Sequence, residues 1–144
     1  MAQINLDTSV GYILKQAAAA LRTAMDHALR PLGLTVPQYA CLVLLGQRPG
    51  LSAAELARGT FVTRQSMHTV LQGLQDRGLL VRPPVAPQGR ALPTRLTEPG
   101  ERLVAEANRV VSEVEGRMLA ALPAANVARL RDDLATCAKA LAMP

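Results

Sequence analysis

The stretch "VTRQSMHTVLQGLQDRGLLVRP", Val62 to Pro83, decides how the whole chain is read. Within it Met67, Val70, Leu71 and Leu74 recur at three- and four-residue steps, the apolar stripe of a helix, and Gly78 supplies a residue able to adopt left-handed backbone just past its end. Thr63 is the expected N-cap. With the stripe turned to a core, Arg64, Gln65, Ser66, His68, Thr69 and Gln72 project outward. No acid stands among them, whereas an ordinary solvated helix interleaves Glu and Lys. Such a set suits the base edges of a DNA major groove: Gln bridges adenine, Arg or His addresses guanine, and Ser or Thr serves bases or phosphates. A carboxylate there would meet phosphate repulsion. For any single one of these residues, plain solvation is the competing reading.

Immediately upstream, "PGLSAAELARG" places Ser52 three residues before Glu55, the reciprocal capping box of a helix start. Gly59 is expected to stop that short helix near Arg58, leaving "GTFV" as the connection. Two short helices joined by a few residues, each with an inward stripe, predict a helix-turn-helix. Downstream, "LLVRP" and "ALPTRLT" predict two short strands around the loop "PVAPQG". Leu92, Thr94 and Leu96 alternate with Pro93 and Arg95, so one face is covered and one is wet, and Pro93 confines its strand to an edge. A hairpin attached to a helix-turn-helix is a wing. Gly89 and Arg90 fall at its tip, where a flexible backbone and a cation suit a narrow minor groove; Arg82 and Arg95 flank it. The candidate DNA-contact set is Ser52, Thr63, Arg64, Gln65, Ser66, His68, Thr69, Gln72, Arg82, Arg90 and Arg95.

Further out, four more helices are expected. Val10, Ile13, Leu14, Ala17, Ala18, Leu21, Met25, Ala28 and Leu29 mark the first, capped by Ser9 or Thr8 and ended by "RPLG". Thr35 caps the second, Pro37 suits its first turn, and "YACLVLLG" is too apolar to face water. Thr97 caps a long helix with the stripe Leu103, Ala107, Val110, Val114 and Met118, widened by Val104 and Val111. The last follows Pro123, with Val127, Leu130, Leu134, Cys137 and Leu141 spaced 3, 4, 3, 4. The first helix and the last two carry more apolar surface than a compact winged module covers, so a second copy of the chain is the expected partner; a monomeric bundle of the three is the alternative.

Composition agrees. A chain of 144 residues, 49% hydrophobic, makes one domain with a sizeable core. Only Tyr12, Tyr39 and Phe61 are aromatic, while Ala and Leu abound, which favours a mainly α fold and argues against an all-β barrel or sandwich. The formal net charge is +5, and the segment Arg48 to Arg102 holds eight arginines against four acids, Glu55, Asp76, Glu98 and Glu101. Arginine forks match phosphate oxygens, although solvated surface arginine gives the same count. Cys41 and Cys137 lie far apart on apolar stripes, and His27 and His68 are the only histidines, so no disulfide framework, metal site or cofactor is expected. Cys41 reads as a small buried hydrophobe, with a redox role as the alternative. The start "MAQINLDTSVGYIL" lacks a basic leader region, and no apolar run approaches the roughly 20 residues of a membrane span. A cytoplasmic protein with no membrane partner is the expectation.

Catalysis finds no support. Ser66, His68 and Asp76 all lie on one helix, and residues two apart do not face each other, so they make no triad; the glycines form no phosphate-cradling motif. A different class of function, a winged-helix protein-interaction scaffold without sequence-specific DNA binding, is the alternative to DNA recognition. Such modules usually mix acids into the recognition helix, and the outward set from Arg64 to Gln72 has none.

The order "LGLTVPQYACL", "LSAAELARG", "VTRQSMHTVLQGLQDRGLLVR" and "GRALPTRLTEPGERL" resembles the MarR family of winged-helix transcriptional regulators over nearly the whole chain. The resemblance implies one domain in which residues 1–33 and 98–144 form dimerisation helices and residues 34–97 a winged helix-turn-helix lobe. It implies a cytoplasmic homodimer that reads an imperfect palindromic operator with half-sites ~34 Å apart. It further implies a repressor released by a small aromatic acid or phenolic effector such as salicylate, held between the dimerisation helices and the DNA-binding lobe; Tyr12, Lys15, Gln16, Arg22 and Tyr39 are the groups nominated for that pocket. The common wing motif Asp-Arg-Arg is Gln88, Gly89 and Arg90 here, keeping only the last arginine. The peroxide-sensing branch places a reactive Cys in the first helix, and this first helix has none.

Overall fold

A computed structural model describes residues 3–82 and 94–142. Along them run α1 (Val10–Leu29), α2 (Val36–Gln47), α3 (Ala53–Thr60), α4 (Arg64–Asp76), β1 (Leu80–Val81), β2 (Arg95–Leu96), α5 (Glu98–Leu119) and α6 (Ala124–Leu141), with a short 3₁₀ turn, Arg30–Leu32, after α1. The starts of α1 to α5 are fixed locally, by hydroxyl side chains that satisfy otherwise orphaned N–H groups, whereas α6 begins after Pro123 without a side-chain cap. Ser9, not Thr8, accepts from the Tyr12 N–H at 3.2 Å. Thr35 and Gln38 form a capping box at α2, as Ser52 and Glu55 do at α3. Thr63 and Thr97 cap α4 and α5. At the other ends Gly33 and Gly78 adopt left-handed backbone, φ 70° and 73°.

Gly59 is a correction. Helix α3 does not stop near Arg58; it runs through Gly59 to Thr60, and the left-handed residue beyond it is Phe61, φ 60° and ψ 37°. Gly59 is required by packing instead. A Cβ there would sit 2.5 Å from Leu44 Cδ2, so its missing side chain lets α3 lie close on α2. The connection to α4 is thus Phe61 to Thr63, shorter than the expected "GTFV".

The core gathers Leu29, Cys41, Leu42, Leu45, Leu56, Met67, Leu71, Leu74, Leu80 and Ala107, drawn from α1 through α5. Its buried members on α4 are Met67, Leu71 and Leu74, with Val70 at the margin, which orients that helix's polar face outward. The two strands pair antiparallel in the register Leu80 with Leu96 and Val81 with Arg95. Thr94 and Leu80 are buried while Arg95 and Val81 are exposed, the alternation expected of a sheet covered on one side. Leu92, Pro93 and the hairpin tip lie outside the described residues. The wing base is welded to α5: the Thr97 N–H donates to the Leu79 carbonyl at 3.1 Å, and the Thr97 hydroxyl donates to the Gly78 carbonyl at 2.6 Å.

Helix α1 packs on α5, but its N-terminal half and nearly all of α6 remain uncovered. Val10 is 77% exposed and Leu141 83%. An apolar groove of about 590 Å³ runs between α1, the end of α5 and α6, lined by Ile13, Leu14, Leu21, Met118, Leu122, Leu130 and Leu134 among others. Among the described residues α1 and α5 bury part of each other's stripes, while the stripe of α6 and the first turns of α1 stay open. Cys137, expected on an apolar stripe, is exposed here, while Cys41 is buried. Among the described residues no single helix is long and apolar enough to cross a membrane, and no group of three or more His, Cys, Asp or Glu side chains is arranged to hold a metal.

Candidate nucleic-acid interface

Helix α4 presents Arg64, Gln65, Ser66, His68, Thr69 and Gln72 on its exposed side. Thr63 opens this face. Its hydroxyl oxygen accepts from the Ser66 N–H at 3.0 Å, and its hydroxyl donates to Ser66 Oγ at 2.9 Å. This local bonding fixes the first turn and leaves the Ser66 hydroxyl proton available. Arg64, Gln65, His68 and Thr69 make no side-chain hydrogen bond or ion pair among the described residues, so their polar groups remain free for another molecule.

Gln72 stands differently. Its Nε2 donates to Asp76 Oδ1 at 2.8 Å, and its Oε1 accepts from Arg82 Nη2 at 3.1 Å. Arg82 Nε donates to Gln75 Oε1 at 3.0 Å. The guanidinium therefore lies back over the last turns of α4 and joins the wing base to that helix. Both Gln72 and Arg82 are engaged with each other rather than held open. No local sequence pattern marks Gln75, because its partner is seven residues away, just past the end of β1. Arg95 is exposed on β2, and Arg90 lies outside the described residues. Ser52 sits at the α3 N-cap, where its oxygen accepts from the Glu55 N–H at 3.1 Å and its own N–H donates to Glu55 Oε1 at 3.0 Å. These bonds hold the Glu55 carboxyl below its usual range.

One residue beside this face was also missed. Phe61, two positions before the Thr63 cap, is 94% exposed. An isolated aromatic carries no periodic signal; the only sequence cue is a Phe standing where a helix terminus ordinarily asks for Gly.

The residues nominated for a small-molecule pocket are not gathered within one chain. Tyr12, Lys15 and Gln16 are exposed on the first turns of α1. Arg22 pairs with Asp26 at 3.4 Å on the same helix, with both side chains largely in solvent. Tyr39 is half-buried on α2, and its hydroxyl donates to Asn108 Oδ1 of α5 at 2.6 Å. Burial, and secondarily the charge of Glu115, push its phenol pKa above the ordinary value. Because α1 meets the far end of α5, with Ala17 and Ala20 beside Val114 and Met118, Tyr12 lies beyond Met118 while Tyr39 sits at Asn108. Ten residues of α5, about 15 Å of helix, separate the two regions.

A helix-turn-helix whose second helix presents no carboxylate before Asp76 in its last turn, with an antiparallel hairpin base beside it, defines a winged-helix protein. The comparisons with known proteins name the family. Residues 32–91 match the MarR family model. An HTH-type transcriptional repressor of Mycobacterium tuberculosis is 48% identical over 118 residues, covering 82% of this chain and 85% of that protein. The crystal structure of that MarR family protein in complex with DNA superposes with a TM-score of 0.77 at 42% identity, over 91% of this chain and 98% of the other. The same protein in complex with salicylic acid gives 0.76 at 44% identity, over 91% and 97%. The chain belongs to the MarR family.

Proposed function

We propose that the chain is a homodimeric, sequence-specific double-stranded DNA-binding transcriptional repressor of the cytoplasm, released by a small aromatic acid or phenolic ligand. The observation that carries this reading is the outer face of α4: Arg64, Gln65, Ser66, His68 and Thr69 are exposed together, with no acid among them. Thr63 and Ser52 serve as phosphate-side contacts at the two helix starts, Arg90 and Arg95 extend the contact through the wing, and Gln72 and Arg82 act as a brace between helix and wing that turns to DNA only if their mutual bonds open. The operator is an imperfect palindrome read by two copies of α4. The exposed apolar surface of α1 and α6 supports the dimer, since contiguous patches of that size seldom face water in a monomer. In this assignment residues 1–33 and 98–144 supply dimerisation and residues 34–97 the DNA-binding lobe. The solved relative's complexes with DNA and with salicylic acid support the two halves of the reading. For the effector, Tyr39 is the best placed of the nominated groups, half-buried where α2 meets α5; Tyr12, Lys15, Gln16 and Arg22 contribute only where a second subunit brings α1 across.

Footprinting of the purified protein on the DNA flanking its own gene, with and without salicylate, tests the assignment. A protected, pseudo-symmetric site whose affinity falls steeply with salt is expected, because arginines from both subunits displace counterions. Salicylate is expected to weaken protection. A monomer in solution, or indifference to every duplex at low salt, overturns the reading.

A further inference from the structure

We infer that Phe61 is an apolar DNA contact, held out by the helix-turn-helix to pack on the apolar edge of the duplex: a thymine C5-methyl group or a deoxyribose face at the rim of the groove that α4 enters. The inference rests on the DNA-binding reading above and adds to it a residue that the polar face of α4 does not include.

Phe61 is the most exposed of the large hydrophobic side chains among the described residues, at 94%. Its exposure is not that of the dimer face, since the other strongly exposed apolar residues, such as Val10 and Leu141, belong to α1 and α6 or to the segment before α1. The backbone explains why it projects. The Val62 N–H donates to the Ala57 carbonyl at 3.1 Å and the Phe61 N–H to the Arg58 carbonyl at 3.4 Å, the paired bonds of a Schellman terminus. That terminus demands left-handed backbone at Phe61, where φ is 60°. A side chain with a Cβ is strained in this conformation, and Gly is the usual occupant. A phenyl group at this position therefore carries two costs, strained backbone and wetted apolar surface, and among the described residues its 94% exposure leaves little contact to offset either.

The location supplies the missing partner. Phe61 lies two residues before the Thr63 cap, at the end of α4 whose first turns carry Arg64 and Gln65. In helix-turn-helix proteins that end of the recognition helix contacts the base edges while the preceding helix crosses the backbone, so the turn that joins the two lies between groove and backbone. Thr60, Val62, Thr63 and Arg64 surround Phe61 in sequence without an acid to repel phosphate. A ring placed there has thymine methyls and sugar faces as its apolar neighbours.

The test uses full-length protein and a duplex selected by the wild type from a randomised pool. Phe61→Gly is expected to raise the melting temperature, by relieving the strained backbone, and at the same time to weaken DNA binding about tenfold; Phe61→Leu is expected to retain most of the affinity. The slope of affinity against salt should not change, because no charge is removed. Replacing dT by dU, one position at a time, identifies the source of the contact. A position where the lost methyl weakens the wild type but not Phe61→Gly assigns the thymine methyl, and uniform tolerance of dU with the tenfold loss intact assigns deoxyribose. If Phe61→Gly binds as tightly as the wild type, the inference is overturned while the repressor assignment stands. If the wild type selects no duplex, the assignment fails and this inference falls with it.

Discussion

Gly100→Ala is the substitution whose outcome the geometry constrains most tightly. Gly100 lies in the first turn of α5 and is buried against the backbone of Leu79, at the junction of α4 and the wing. A Cβ built there clashes with the Leu79 carbonyl oxygen and stands 3.0 Å from the Leu79 carbonyl carbon. The obstacle is main chain, so no rotamer change relieves it. Ala gains about 1 kcal/mol of helix propensity over Gly. Against this, overpacking costs about 1–3 kcal/mol. Moving α5 away also strains the Thr97 cap, whose oxygen accepts from the Gly100 N–H at 3.1 Å, and the bond from the Thr97 N–H to Leu79 at 3.1 Å. Each is worth about 1 kcal/mol. The net expectation is a destabilisation of about 2–4 kcal/mol. Urea denaturation at one fixed protein concentration measures it. Two internal standards sharpen the result. At Gly73, in the middle of α4, a Cβ meets nothing nearer than Gln38 Nε2 at 3.8 Å, so Gly73→Ala should stabilise by up to about 1 kcal/mol. At Gly59 the obstacle is Leu44 Cδ2, the far end of a flexible side chain, so Gly59→Ala should fall between the two. A Gly100→Ala protein as stable as the wild type would refute the claim that α5 is seated against the Leu79 backbone.

Gln65→Ala should relax base preference by about 1–3 kcal/mol at one operator position, whereas Gln72→Ala should leave the preference nearly intact because its amide is bonded at both ends; a panel of single-base operator variants decides, and equal relaxation by both would contradict the brace. Glu55 has its folded pKa lowered, so its stabilising effect is complete above the ordinary carboxylate range and disappears as pH falls through the lowered value. Melting curves should therefore show the wild type above Glu55→Gln at neutral pH and the two converging in acid; a gap that widens toward acid would be the wrong sign. Burial pushes the Cys41 thiol up to about 12, which leaves it almost wholly protonated near neutral pH. Iodoacetamide should spare Cys41 in the native protein and modify it once urea is added; native labelling at the rate of a free thiol would restore a redox role.

The sequence and the structure agree where the signal is local. Thr35 with Gln38, and Ser52 with Glu55, declare helix starts within four residues, because a hydroxyl and a carboxamide or carboxylate at that spacing answer one another's N–H groups. The inward stripe of α4 is equally local, and fixing it fixes the outer face. What failed depends on distance. Gly59 looked like a helix stop because glycine's commonest use at such a place is conformational; only the approach of Leu44, from a different helix, shows that its use is spatial. Gln72 faces outward as its position requires, yet Arg82 reaches it from ten residues away. Phe61 defies the preference of its own backbone, so propensity alone points away from it. The apolar stripe of α6 is plain in the sequence, but among the described residues no element of the chain covers it.

The way α4 is held suggests how a signal in the helices around it reaches DNA. Beyond its C-terminal end, the Arg77 guanidinium donates to the Gly33 carbonyl at 2.8 Å, which ties it to the joint between α1 and α2. One residue later the Gly78 carbonyl accepts from Thr97, which ties it to the start of α5. Both clamps act at the same end, one on the joint between α1 and α2 and the other on the N-cap of α5. The 13 residues of α4 make a lever about 20 Å long. A relative shift of α1 against α5 that tilts the clamped end by roughly 10° displaces Arg64 and Gln65 by about 3 Å, a full hydrogen-bond length. An effector seated near Tyr39, between α2 and α5, would act on this lever without touching the DNA face. It would do so only by favouring one arrangement of the clamps: moving the population from 99:1 to 1:99 takes about 5.5 kcal/mol of preference, and a ligand that binds both arrangements equally moves nothing.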